Sequence, residues 1–277
     1  MKKAKLVMRC LGASVLLVFV GLLLWGKLFP FSPVLPGFIR HELAHTVVYV
    51  QRGADFREYE AVDACAPPVE AFHELRFVRK PRLFVFRDRQ SYLQRSPSRA
   101  RFCAFPGGSL VISPWALEEA RQGQISLDIY LRHELSHTLL FQHAGLLRAI
   151  RYPRWLLEGL ATYSAHQMGT SFYPSQADTY AAIRQGNFVP PEDFATRRED
   201  RLPLQVQFRK GFIYSEFACL VDYLVEQYGK DRLLAYVNAL MRDSNNARVF
   251  RGIYGVDFPA AVAQFREAAT GAQPRGL

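Results

Sequence analysis

The first apolar run of the chain covers residues 10–26 and contains no charged residue. As a helix it would reach about 25 Å, slightly less than the ~30 Å hydrocarbon layer of a membrane. No small-x-small cleavage site follows it. Four basic residues precede it: Lys2, Lys3, Lys5 and Arg9. The pattern predicts an uncleaved signal anchor, with the leader cytoplasmic and the rest of this single-pass chain extracytoplasmic, or periplasmic in a bacterium.

The polarity pattern then predicts a change from short strands to helices. Strands are expected where β-branched and aromatic residues cluster, at 45–50, 82–87 and 102–113, the last interrupted at Gly107-Gly108. Helices are expected at 57–76, 126–143, 155–168 and 213–243, and a short one after the strand at 82–87 that ends near residue 94. A Pro-rich loop is expected between Tyr173 and Leu204. Ser126 is the expected N-cap of the helix at 126–143. The predicted fold class is α+β.

These patterns divide the chain into five predicted segments. Pro30, Pro33 and Pro36 recur every third residue, which favours an extended polyproline spacer. The predicted boundaries are a basic leader at 1–9, an anchor at 10–28, a Pro-rich linker at 29–38, an α+β lobe at 39–147 and a helical lobe at 148–277.

Composition changes this picture little. The chain is 49% hydrophobic and 22% charged, as ordinary globular proteins are, and its net charge is +10. A basic stretch between Arg76 and Arg101 is either a solvated face or a surface for anionic lipid or acidic partners. No nucleic-acid motif is present, so no nucleic-acid partner is expected, and nothing in the sequence defines an oligomeric state.

Three cysteines follow the anchor, which itself contains Cys10. Cys65, Cys103 and Cys219 can form at most one disulfide among themselves. In an oxidising compartment the pair Cys65–Cys103 is favoured, and buried free thiols are the alternative.

The chemistry of the chain centres on His133-Glu134-Leu135-Ser136-His137. In a helix, positions i and i+4 lie on one face with Cβ atoms ~5–6 Å apart, so both imidazoles can reach one ion. Zinc favours four ligands, one of them water in a catalytic site, and Glu134 can act on that water as a general base. A third protein ligand is required.

The segment Trp155-Leu-Leu-Glu158-Gly-Leu-Ala161 supplies it by resemblance. From about residue 45 to 245 the chain resembles the gluzincin families of zinc metallopeptidases, the peptidase MA-like proteins, in which a W-x-x-E-G-x-A helix completes the metal site. The resemblance implies one zinc ion held by His133, His137 and Glu158, with Glu134 as the base. It also implies a zincin-like catalytic domain, behind the membrane anchor, that acts on a peptide or protein substrate.

Two other patterns compete with this set. His41-Glu42-Leu43-Ala44-His45 repeats the motif, but the β-branched run after it favours a strand, in which i and i+4 lie ~13 Å apart. His143 has the spacing of the third metzincin ligand, with Met168 as a candidate Met-turn. That family requires Gly at position 140, where this chain has Leu140. A metzincin site that uses His143 remains the alternative architecture.

Further site residues follow from the gluzincin resemblance. Tyr214 is the candidate oxyanion donor and Tyr163 a weaker one. The strand around Gly107 and Gly108 is the candidate substrate-binding edge. Position 162, an Asp in thermolysin-like enzymes, is Thr162 here, so the partner that orients a ligand histidine is left open.

Two functions remain open. One is an active metallopeptidase, endo- or exo-acting, that hydrolyses peptide bonds with a zinc-activated water. The other is a catalytically inactive gluzincin fold that serves as a binding or assembly module.

Overall fold

A computed structural model of the chain describes residues 2–149, 151–191 and 202–271. It begins with helix α1 (Lys2–Trp25). The 18 residues Met8–Trp25 have a mean hydropathy of 2.1 and none of them is buried. The helix is therefore long and apolar enough to cross a membrane, as the sequence predicted, while its orientation there stays a prediction.

The segment after α1 differs from the predicted extended spacer. Residues Phe29–Phe31 form a 3-10 turn, and Phe29 and Ser32 are fully buried. The Phe29 ring lies 5.0 Å from the ring of Phe38 and 5.8 Å from that of Phe84. The spacer prediction is wrong at this point because an aromatic side chain gains more from burial against the sheet than from solvent exposure.

A mixed five-stranded sheet follows, in the spatial order β1-β2-β3-β5-β4. Its outer pairs, β1–β2 and β4–β5, are antiparallel, and its inner pairs, β2–β3 and β3–β5, are parallel. The strands are β1 (Phe38–Glu42), β2 (Val47–Gln51), β3 (Arg82–Val85), β4 (Phe102–Phe105) and β5 (Ser109–Ile112). The predicted strand at 102–113 is thus a hairpin that turns at Gly107-Gly108, where both glycines have positive φ.

Both faces of the sheet are covered. Alternate residues of a strand point to opposite faces, so Leu83 and Val85 join the core on one side, and Phe84 and Phe86 join Phe29 on the other. The helices of this part are α2 (Tyr59–Asp63), α3 (Ala66–His73), α4 (Arg89–Arg95), α5 (Pro114–Arg121), α6 (Leu127–Ala144) and α7 (Leu146–Ala149).

The rest of the described chain is helical, and the fold is α+β as predicted. The break at Gly229 (φ +87°) divides the predicted helix 213–243 in two. The helices are α8 (Arg154–Ser164), α9 (Gln176–Arg184), α10 (Arg209–Tyr228), α11 (Lys230–Leu240), α12 (Asn246–Tyr254) and α13 (Phe258–Thr270). Helix α9 lies where a loop was predicted, and residues 192–201 of that loop fall outside the described residues. The lobe boundary at 147–148 stays a prediction.

The favoured disulfide between Cys65 and Cys103 is not formed, and all four cysteines are free thiols. The Cys65 thiol is buried and lies 3.1 Å from the carbonyl oxygen of Ala61, whereas Cys103 lies in β4. Burial raises the pKa of both thiols to about 12, so both stay protonated near neutral pH.

Candidate metal centre and cleft

Helix α6 brings two histidines onto one face. Leu131, Leu135 and Leu139 recur every four residues and are fully buried in the core beneath the sheet. His133 and His137, also four residues apart, lie on a neighbouring stripe that faces a cleft. The helix begins after Ser126 as predicted, although Ser126 gives no side-chain cap: its hydroxyl donates to the Asp128 carboxylate at 2.5 Å.

Helix α8 carries Glu158 to the same point. Trp155 anchors this helix by stacking on Phe258, with ring centroids 4.9 Å apart. Gly159 lets α8 pack closely on α10, because a Cβ there would lie 2.5 Å from the carbonyl oxygen of Phe217. The glycine of the W-x-x-E-G-x-A segment therefore allows a helix contact, and that contact fixes the neighbouring Glu158.

The three side chains form a nearly equilateral triangle of donor atoms. The Nε2 atoms of His133 and His137 lie 3.1 Å apart, and Glu158 Oε2 lies 3.4 and 3.5 Å from them. Tetrahedral ligands at ~2.0–2.1 Å from zinc would be roughly 3.3–3.4 Å from one another. Among the described residues, this is the one group of three His, Cys, Asp or Glu side chains with ligand atoms within 4.8 Å. The donor set fits zinc.

The electrostatics of the triangle also suit a cation. Burial alone would raise the pKa of Glu158, but hydrogen bonds with His133 and His137 outweigh it and hold that pKa below its ordinary value. Burial lowers the pKa of His137, and the adjacent Glu158 carboxylate more than offsets this, so the pKa is raised. The ionised carboxylate thus stabilises a positive charge here, whether a proton or a metal ion carries it.

Glu134 lies on α6 beside the triangle and lines the cleft. Its Oε2 accepts a hydrogen bond from the backbone N–H of Ala104 at 2.7 Å. Ala104 belongs to β4, the edge strand of the sheet. The carboxylate is therefore fixed between the metal-binding face of α6 and an edge strand.

The cleft has a volume of about 770 Å³ and lies between β4, α6, α8 and the start of α10. Tyr214 is 7% exposed, and its ring is nearly parallel to that of His133, with centroids 6.1 Å apart. Tyr173 also lines the cleft, and its ring centroid is 6.3 Å from that of Tyr214. Both phenols are thus in the same wall as the triangle.

Cations outnumber anions along the cleft. Arg101, Arg154, Arg209 and Lys210 line it, whereas its acidic lining residues within the described chain are Glu134 and Glu158. Arg101 forms an ion pair with Glu119. With a divalent cation added to this set, the cleft would be electropositive and would attract anionic groups.

The first His-Glu-x-x-His stretch has another structure. His41 and Glu42 end β1, and the chain then turns into β2. The His41 ring packs on Tyr59, with centroids 4.9 Å apart, and the exposed His45 is connected through its backbone N–H to Asp63. Neither histidine belongs to a three-residue metal cluster of the described chain.

Two further sequence candidates lie outside the cleft. Helix α6 continues past Leu140 to Ala144, and His143 Nε2 lies 2.8 Å from the carbonyl oxygen of Arg76. The turn that a metzincin site needs is absent, so the assignment of His143 as a ligand is wrong. Tyr163 packs on Phe72, 6.0 Å between centroids, and does not line the cleft.

Gly107 and Gly108 lie in the turn between β4 and β5, and neither lines the cleft. The edge strand beside Glu134 is β4 itself, which runs antiparallel to β5. The edge strand that adjoins the cleft is therefore Phe102–Phe105 and not the glycine pair, because the predicted strand folds back on itself there.

The partner that orients a ligand histidine remains open. Thr162 is fully buried, and neither its hydroxyl nor the Nδ1 atoms of His133 and His137 has a hydrogen-bond partner among the described residues.

Sequence reasoning missed several cleft residues. Tyr173, Arg154 and Ala104 have no motif of their own, and the elements that bring them to the cleft are distant in sequence. Arg154 alone had a signal, since it lies four positions before Glu158 and directly precedes the helix predicted from residue 155.

The chain matches no protein-family model and no curated protein sequence. Among solved structures, a mutant of an M1 zinc metallopeptidase from Deinococcus radiodurans is similar, with 14% sequence identity and a TM-score of 0.40. The alignment covers 86% of this chain and 52% of that one, so the chain spans about half the length of this structural neighbour.

Proposed function

We propose that the chain is a membrane-anchored zinc metallopeptidase that hydrolyses peptide bonds. The observation that carries the proposal is the triangle of His133, His137 and Glu158, with edges of 3.1, 3.4 and 3.5 Å, at the wall of a cleft. Two neutral imidazoles and one carboxylate would leave one positive charge on the site with zinc bound. A zinc ion there would supply Lewis acidity, which polarises a peptide carbonyl and lowers the pKa of water.

Glu134 is the proposed general base. It follows His133 directly and points into the same cleft, and the Ala104 N–H fixes one of its oxygens at 2.7 Å. The carboxylate can take a proton from an attacking water and deliver it to the leaving amine. Such proton transfer contributes typically about 10²–10⁴-fold to a rate.

Tyr214 is the proposed donor to the oxyanion. Its ring runs nearly parallel to that of His133, at an interplanar angle of 12°. A phenol O–H beside the metal-binding face can stabilise negative charge that develops on the carbonyl oxygen. Tyr173 is the alternative donor, because it lines the same wall.

An extended peptide is the substrate shape that the cleft favours. The edge strand β4 lines the cleft through Phe102, Cys103 and Ala104. An edge strand offers backbone groups that can pair with an added strand. The cationic lining favours peptides with acidic side chains.

The test measures zinc content and hydrolysis of a peptide library with the wild type and with Glu134→Gln. We expect about one zinc per chain in both, and a loss of hydrolysis of ~10²–10⁴-fold in the variant. If the wild type instead binds one zinc per chain and shows no more hydrolysis than Glu134→Gln, the chain is an inactive gluzincin fold that acts as a binding module.

A further inference from the structure

The end of the membrane helix is joined rigidly to the domain. Lys27 follows α1 by two residues, and its ammonium donates to the carbonyl oxygen of Ser96 at 2.8 Å and to that of Leu93. These carbonyls lie at the C-terminal end of α4, where a cation is stabilised by the unpaired carbonyls and the helix dipole.

Aromatic and cationic side chains reinforce this joint. Phe29 is fully buried, and the guanidinium of Arg95 lies 5.0 Å from its ring centroid. Arg82 donates to the carbonyl oxygen of Ser32 at 3.0 Å. The domain therefore has little freedom to swing relative to the last turn of α1, in contrast to a domain on a flexible linker.

The segment that holds Lys27 continues directly into the cleft wall. Ser96 accepts the Lys27 hydrogen bond, and Ser98, Ala100 and Arg101 then line the cleft before β4 begins. Two residues span at most about 7 Å, so the wall begins within about 7 Å of the residue that binds the anchor.

This distance is comparable with the thickness of a lipid headgroup layer. The apolar span ends at Trp25, and each polar layer outside the hydrocarbon core is about 5–8 Å thick. Lys27 and the start of the cleft wall would then lie within or directly above the headgroups. Arg89 and Arg99 are exposed in this part of the chain and can contact anionic headgroups.

We infer that the substrates are themselves membrane-anchored and are cleaved in the extended segment that directly leaves the bilayer. This inference rests on the proposed peptidase function and on α1 as a membrane span. Because the joint holds the cleft at a fixed height above the membrane, the enzyme would cleave peptide bonds that lie at that height. A juxtamembrane segment tethered in the same bilayer reaches that height at a high local concentration, which a soluble peptide does not have.

The experiment places the full chain in vesicles with a set of substrates that share one cleavable peptide. The peptide is attached to a transmembrane helix through spacers of about 5, 15 and 40 residues, which reach at most ~17, ~50 and ~130 Å. The same peptide is also supplied in solution. We expect cleavage of the short-spacer substrate to exceed that of the 15-residue form by about fivefold and that of the 40-residue form by about twentyfold, because effective concentration falls roughly as the −3/2 power of tether length. The soluble peptide should be cleaved least.

A matched enzyme variant separates geometry from chemistry. A Gly/Ser-rich insertion of about 20 residues between Gly26 and Lys27 leaves the Lys27 and Phe29 contacts intact but frees the domain from the bilayer. We expect this variant to lose the preference for the short spacer and to cleave the soluble peptide at the wild-type rate. Equal cleavage of all substrates by the wild type would overturn the inference and leave the peptidase proposal standing.

A second readout does not depend on activity. A photo-crosslinking amino acid at Arg99 should attach to lipid in the wild-type background and several-fold less after the insertion. If lipid attachment is equally low in both, the cleft does not lie at the bilayer and the inference falls. If the wild type and Glu134→Gln spare every substrate alike, the peptidase proposal fails and the inferred substrate class fails with it, while the lipid attachment still reports the position of the cleft.

Discussion

Two stretches of this chain have the same pattern, His-Glu-x-x-His, and different structures. His41 and His45 lie at the end of β1 and in the turn after it, whereas His133 and His137 lie one turn apart on α6. Only the second pair has ring nitrogens that meet, at 3.1 Å, with a carboxylate 3.4–3.5 Å from both. The five-residue motif alone therefore does not make a metal site: its histidines must share one helix face, and a third ligand must lie beside them.

The neighbours of each stretch explain the difference. After His45 the chain continues with Thr46, Val47 and Val48, whose branched side chains favour β structure. Before His133 the residues Leu127–Arg132 continue a helix, and Leu131, Leu135 and Leu139 bury one face of it. Burial of that face determines which way the histidines point.

The largest expected effect comes from replacing the second histidine of each stretch with alanine. His137→Ala should reduce bound zinc from one per chain to none after dialysis, because two ligands do not complete the site. His45→Ala, the matched control, should leave the zinc content unchanged. Metal analysis of the two purified variants measures this, and a fall to half in His45→Ala would show that the first stretch also binds metal.

The next effect concerns the oxyanion donor. Tyr214→Phe removes one hydroxyl beside the His133 ring and should lower kcat by ~10²–10³-fold with zinc content unchanged. Tyr173→Phe is the matched control in the same wall. Steady-state kinetics of both variants assign the donor, and a larger loss in Tyr173→Phe would transfer the role to that residue.

A third prediction concerns the packing that fixes Glu158. Gly159→Ala places a Cβ 2.5 Å from the Phe217 carbonyl oxygen, so α8 and α10 must separate. Such overpacking typically costs ~1–3 kcal/mol of the free energy of unfolding. Chemical denaturation should show that loss, and zinc titration should show weaker binding because Glu158 moves with α8.

Gly252→Ala is the control for this change, because a Cβ at that helical position would meet no atom within 4 Å apart from the backbone of its own helix and its chain neighbours. We expect it to keep the wild-type zinc affinity. A wild-type zinc affinity in Gly159→Ala would contradict the prediction, because it would show that the contact between α8 and α10 does not determine the position of Glu158.

The smallest effect belongs to the first stretch. Asp63 Oδ1 accepts from the backbone N–H groups of His45 and Thr46 and from the Thr46 hydroxyl, at 2.8–2.9 Å. Asp63→Ala leaves buried Thr46 donors unpaired, which costs about 1–3 kcal/mol of stability. Zinc content should not change. Asp63→Asn, which keeps an acceptor oxygen, should lose less stability by the same denaturation measurement.

Much of the fold was predictable from local patterns. The strand at 82–85 and helix α6 have strong periodicity or composition, so their predicted bounds differ from the structure by only a few residues. The anchor was also predictable, although helix α1 begins at Lys2, inside the segment predicted as a leader. The hairpin at Gly107-Gly108 and helix α9 were missed because a glycine pair and a Pro-rich region are compatible with several conformations. The docking of Phe29 was missed because its partners, Phe84 and Phe86, are more than fifty residues away.

The sequence by itself pointed to His133 and His137 as candidate ligands and to Glu134 as the candidate base, because their spacing on a helix is a local property. Glu158 became a candidate ligand only through the resemblance of its segment to the gluzincin motif. The sequence also showed Leu140 in place of the glycine of the metzincin turn, but the continuation of α6 to Ala144 in the structure is what excluded that turn. Only the tertiary structure decided that His133, His137 and Glu158 have ligand atoms 3.1–3.5 Å apart and that β4 is the edge beside Glu134. It also decided that Lys27 binds Ser96, just before the segment that lines the cleft. Apart from the His133–His137 pair, which lies one helical turn apart, these contacts connect residues about twenty to seventy positions apart. Long-range packing, which leaves no periodic pattern in the chain, brings them together.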